Sequence, residues 1–149
     1  MDSTLLDLFK TKYERGAKTP DTHDCKSLTV EVLHRFGIPI KTEDIGVLAV
    51  EEVISAMARN EYPYSECDAA IIEKELSNGQ WEKIDVPEKG CVVAMALDPM
   101  HHDLIQHLGV YIGENKFIQI LEDTGVTTTN VNDRFFKRKI RGFYKWKDS

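Results

Sequence analysis

The sequence predicts an α+β fold in which helices near the N-terminus pack on one face of a central antiparallel β-sheet. Two observations carry this. Before Gly79, apolar residues recur at helical spacings of three and four. After it, six short stretches rich in β-branched and aromatic residues are bounded by Gly, Pro, Asn or Asp. A third observation bounds the size: 149 residues with 42% hydrophobic content enclose one core and not two, so residues 1–149 are expected to form a single domain.

"STLLDLFK" reads as a short N-terminal helix, and "ERGAKTPDTH" as a loop delivering the chain to Cys25. From there Cys25, Leu28, Thr29, Val32, Leu33 and Phe36 form one apolar helical stripe, which Gly37 and Pro39 bring to a stop. Residues 44 to 59 repeat the helical pattern through Ile45, Leu48, Val53, Ala56 and Met57. "SECDAAIIEKEL" then opens with Ser65 and Asp68 at capping-box spacing. The predicted strands are "WEKIDV", "CVVAMAL", "HLGVYIG", "KFIQIL", "GVTTTNV" and "IRGFYKW".

"HLGVYIGENKFIQI" is the most specific local signal, two alternating strands around a short "GEN" connection. With a three-residue loop and Asn115 left-handed, Tyr111 pairs with Phe117, Gly109 with Gln119 and His107 with Leu121. His107, Gly109, Tyr111, Phe117 and Gln119 then share one face. Gln119 lies diagonally across from His107 at about 7 Å, with Gly109 leaving room between them. A loop shorter by one residue turns Gln119 to the opposite face.

A net charge of −6 argues against a protein that coats nucleic acid. The closing "RFFKRKIRGFYKWK" is nonetheless basic and interleaved with aromatics; it could touch an anionic polymer, but its alternation fits the solvated face of a strand better. The N-terminus lacks a basic region followed by a long apolar one, and no window approaches about 18 apolar residues. Neither a signal peptide nor a membrane span is expected, and synthesis is assigned to the cytoplasm.

Three cysteines without a CxxC pair argue against a disulfide framework or structural zinc. Cys67 and Cys91 read as core. "HHDLIQH" suggests a metal site, but it lacks HExxH spacing and reads as a loop running into a strand, so no metal is assigned.

Thiol chemistry needs a sulfur that can ionise, a base within reach and a third group that orients the base. Cys25 meets the first need if Asp24 or Thr22 caps the helix, because the thiol then sits among unpaired N–H groups that could also hold an oxyanion. His107 is the candidate base and Gln119 the orienting amide. A free cysteine is also among the most buried residue types, so the alternative reading of Cys25 is a small core residue.

In order and spacing, "DC-x-x-L" opening a helix that ends in "FG", then "W-x-x-I-x-x-P-x-x-G-x-V-V", then "HLGVYIG-x-x-x-F-I" resemble the NlpC family of papain-like cell-wall cysteine peptidases, over about Tyr13 to Trp146. The resemblance implies a papain-like NlpC-type fold, with Cys25 as nucleophile, His107 as general base and acid, and Gln119 as the third polar residue. It implies that Tyr13 borders the substrate cleft and that Asp24 fixes the loop and meets a substrate amino group. The implied reaction is hydrolysis of an amide in peptidoglycan stem peptides, typically at the γ-D-glutamyl to diamino-acid bond, without metal or organic cofactor. The closing stretch is similar to a branch found in bacteriophage tails and prophages, which implies tail proteins as partners and a virion-associated site of action on the wall. A catalytically silent tail or secretion component and a secreted antibacterial amidase are the alternatives. Lys26 and Ser27 replace the family's usual Ser-Gly, and Cys91 stands where it usually has aspartate.

Overall fold

The computed structural model describes residues 3–14, 21–41, 80–97, 105 and 107–147. A 3-10 helix at Ser3–Lys10 leads into β1 (Lys12–Tyr13), which pairs in parallel with β2 (Thr22–His23). The segment read as a loop thus ends in a two-residue strand, because Tyr13 and His23 lie opposite each other and the Glu14 N–H donates to the His23 carbonyl.

α1 (Cys25–Arg35) follows at once and buries Cys25, Leu28, Thr29, Val30, Val32 and Leu33. Its end is a Schellman motif: Gly37, at φ +80°, donates to the His34 carbonyl and Ile38 donates to that of Leu33. The helices expected at 44–59 and 65–76, with Cys67, and the "HHDLIQ" stretch except Ile105, lie outside the described residues.

All six predicted strands form: β3 (Trp81–Ile84), β4 (Val92–Met95), β5 (His107–Gly113), β6 (Lys116–Leu121), β7 (Gly125–Asn130) and β8 (Ile140–Trp146). They make one antiparallel sheet in the order β3-β8-β4-β5-β6-β7. Period-two alternation separates two apolar faces. Val92, Ala94, Leu108, Val110, Ile118 and Ile120 pack with Leu28, Val32 and Leu33 of α1, while Val93, Met95, Tyr111 and Phe117 pack on the other face.

That second face is not left to solvent. A short helix, α2 (Arg134–Lys137), lies over it with the Phe136 ring edge-on to Phe117 at 6.0 Å. Residues 134–137 therefore do not extend the basic strand face read from their composition. The Asp133 carboxylate accepts the N–H groups of Phe135 and Phe136 and nucleates a helical turn instead.

The β5–β6 register is the expected one where it matters, with Val110 opposite Ile118 and Tyr111 opposite Phe117. It arises by a different route. Glu114 and Asn115 both have positive φ, making a two-residue turn with Gly113 opposite Lys116, and a bulge between Tyr111 and Gly113 absorbs the one-residue offset. Gly109 is then required by close approach: a Cβ there would sit 2.8 Å from the Ile118 carbonyl oxygen and 2.9 Å from the Phe117 ring. Gly109→Ala is expected to lower stability by about 2 kcal/mol in urea unfolding; an unchanged midpoint would show that the pair of strands can separate to admit a methyl group.

Candidate active site

The first turn of α1 is fixed by a reciprocal cap. Asp24 Oδ1 accepts the Ser27 N–H at 2.8 Å, and the Ser27 hydroxyl oxygen accepts the Asp24 N–H at 2.9 Å. Of the two caps open to the sequence, Asp24 is the one used. The Ser27 hydroxyl also lies 3.0 Å from His23 Nδ1, tying β2 to the helix start. Ser27, a departure from the resembled pattern, thus completes the cap beneath Cys25.

Cys25 occupies the first helical position and is 4% exposed. α1 packs on β5, and the backbone amide of Leu108 is near enough to favour an ionised Cys25 sulfur. The nucleophile candidate therefore meets β5 at the residue next to His107.

His107 is 5% exposed and Gln119 fully buried, and they are joined by a 2.9 Å contact between His107 Nε2 and Gln119 Oε1. Gln119 Nε2 donates to Thr129 Oγ1 at 2.8 Å. With the amide in that orientation its oxygen accepts the Nε2–H of His107, which leaves Nδ1 as the unprotonated nitrogen. Thr129 was not among the residues singled out from the sequence. The signal was there: β6 and β7 pair so that Thr129 opposes Phe117, which places it on the same face as Gln119.

Burial pushes the Cys25 thiol up to about 12, with the Asp24 charge adding to it against the amides of Leu108 and Cys25 and the Lys26 ammonium. Burial likewise pushes His107 down to about 4, opposed by its bond to Gln119. Burial thus keeps both the thiol and the imidazole neutral, so the helix N-terminus does not by itself store a thiolate here.

Tyr13 packs against the core cluster that contains Cys25, on the strand paired with β2. Among the described residues its hydroxyl is the buried side-chain polar atom left without a hydrogen-bond partner. Such a group is a donor awaiting an acceptor. Asp24 is buried, with one carboxylate oxygen committed to the helix cap. No cluster of three metal-ligating side chains occurs among the described residues.

The low His107 value has a consequence for stability. Between pH 6.5 and about 4 the unfolded chain binds a proton at this residue that the folded chain does not, so stability falls as pH drops through that window. The His107 share is on the order of 3 kcal/mol. His23, also pushed down by burial, acts in the same direction. Urea unfolding at pH 7 and pH 4.5 should show the loss, and His107→Gln should flatten it; an equally steep dependence in the variant would assign the effect elsewhere.

Comparison with known proteins places this geometry in context. The profile of the NlpC/P60 family matches residues 10–145. Among solved structures, NlpC2 from Trichomonas vaginalis superposes with a TM-score of 0.62 at 16% identity, over 95% of this chain and 43% of that one. NlpC1 from the same organism gives 0.57 at 18% identity, over 95% and 42%. An NLP/P60-family protein similar to lipoprotein, from Staphylococcus aureus, gives 0.54 at 13% identity, over 96% and 39%. The chain thus spans about two-fifths of the length of these structures. No curated protein matches it.

Proposed function

The chain belongs to the NlpC/P60 family, whose members are generally cell-wall peptidases, and from that premise we propose that it is a thiol hydrolase of peptidoglycan stem peptides using Cys25, His107 and Gln119. The observation that carries the reading is the imidazole of His107, oriented by Gln119 at the start of the strand on which the Cys25 helix packs.

The chemistry follows from the protonation states. Burial leaves His107 unprotonated at neutral pH, so that the imidazole is open to the thiol proton once charge develops on the substrate. As sulfur attacks the scissile carbonyl, the thiol proton passes to Nδ1, and the Gln119 oxygen steadies the cation through Nε2–H. The helix-start amides stabilise the tetrahedral oxyanion. His107 then protonates the departing amine, leaving a thioester. A water molecule, deprotonated by the same imidazole, hydrolyses it and restores the thiol.

In this reading the orphan Tyr13 hydroxyl donates to a substrate oxygen, and Asp24 fixes the loop and meets the amino group of the peptide. The γ-D-glutamyl to diamino-acid bond is the proposed scissile amide. The narrower setting is a bacteriophage-tail or prophage enzyme opening the wall locally, supported by the basic and aromatic closing stretch.

Cys25→Ala should abolish release of new amino termini from purified peptidoglycan while keeping the unfolding midpoint; activity retained in the variant would end the assignment. Tyr13→Phe should hold or raise stability, since it removes an unsatisfied buried hydroxyl. It should also lower kcat/KM by about tenfold or more. Loss of stability without loss of rate would make Tyr13 a packing residue.

The burial of Cys25 favours a second reading, a silent docking component that keeps the fold. Alkylation separates the two. A working pair predicts that His107→Gln slows modification of Cys25 at pH 7 and not that of Cys91, whereas a silent site leaves both rates unaffected.

A further inference from the structure

We propose that the basic turn between β7 and β8 is a binding surface for a phosphate-bearing polysaccharide strand of the cell wall, seating the wall beside the candidate active site. The proposal rests on the hydrolase reading for its setting and on the following features for its chemistry.

Seven of the nineteen basic residues and one of the twenty-five acids fall between positions 133 and 147. A chain of net −6 therefore carries +6 in this short stretch and −12 elsewhere. Arg134, Lys137 and Arg138 are exposed, and none takes part in an ion pair among the described residues. Such a concentration of like charge raises the energy of the free surface and is relieved by a polyanion.

The turn is also built to hold its shape. Asp133 caps it, Phe136 pins it to Phe117, and Arg141 donates from its guanidinium to the Arg138 and Ile140 carbonyls. Phe135, by contrast, is 56% exposed beside these cations, edge-on to Phe136, with the Lys139 ammonium 5.4 Å from its ring centroid. An exposed ring flanked by cations offers an apolar surface for a sugar, and two guanidinium forks offer paired donors to phosphate oxygens.

Position gives the surface its use. Ile140 pairs with Met95 and Met95 with His107, so the Lys139–Ile140 step lies two strand spacings, about 10 Å, from the His107 backbone. The Lys139 carbonyl accepts the Ala96 N–H, fixing that end of the turn to the sheet. A glycopolymer held on the turn would keep the peptidoglycan to which it is bonded, and so the stem peptides, beside the thiol.

The test is co-sedimentation of the Cys25→Ala protein with purified cell walls that carry phosphodiester-linked glycopolymer, and with the same walls stripped of it. The triple variant Arg134→Gln, Lys137→Gln, Arg138→Gln, checked for an unchanged unfolding midpoint, should bind intact walls at least tenfold more weakly. Its slope of log Kd against log salt should be shallower by about 2, and stripping the walls should weaken the parent protein to the same degree. Undiminished binding by the variant, or equal binding to stripped walls, would overturn the proposal. Tighter binding to a single-stranded DNA of matched charge would overturn it in favour of a nucleic-acid surface. Cleavage of a short soluble stem peptide by the chain with Cys25 intact reports separately on the hydrolase reading, because the three substitutions should leave that rate unchanged.

Discussion

A one-residue bulge between Tyr111 and Gly113 sets the register of β5 against β6, and the rest of the candidate site depends on it. Side chains alternate across a strand with a period of two, so the two-residue turn at Glu114 and Asn115 would by itself have sent Gln119 to the face covered by α1. The bulge returns it to the face of His107. Gly109 then lets the strands close to the separation at which imidazole and amide meet, with Gln119 Cβ itself only 3.5 Å from where a Gly109 side chain would begin. One local irregularity therefore fixes a hydrogen bond between residues twelve apart.

The same sheet serves two faces with opposite chemistry. Toward α1 it presents aliphatic residues, and that contact brings the first helical turn down on the start of β5. Toward α2 it presents Tyr111 and Phe117 beside the polar chain from His107 through Gln119 to Thr129. A buried polar chain of this kind is tolerable only when each member has its partner. The amide, with a donor end and an acceptor end, satisfies the imidazole and the hydroxyl at once. A leucine of similar volume at 119 would leave both unpaired.

At rest the buried thiol of Cys25 and the buried imidazole of His107 are both neutral. Burial outweighs the favourable amides around Cys25, and the same burial keeps His107 free of a proton at neutral pH. In the proposed reaction the proton moves during attack, which makes the orientation of Nδ1, and hence Gln119 and Thr129, more consequential than any stored charge on sulfur.

Much of this was legible in the residues. The helix from Cys25, its stop at Gly37, all six strands, the α+β class and the shared face of His107 and Gln119 follow from short-range periodicity and turn chemistry, which act over a few residues, while the NlpC-type fold was legible only through the order and spacing of motifs shared with that family. The two-residue turn with its compensating bulge was not legible, because both loops give the same downstream register. Nor was the turn at Arg134–Lys137, where one Asp133 carboxylate outweighs an alternating composition. The orphan Tyr13 hydroxyl and the exclusion of water from Cys25 were decided by tertiary structure alone. Each depends on which distant segment covers a group and excludes water from it, and no local pattern encodes that.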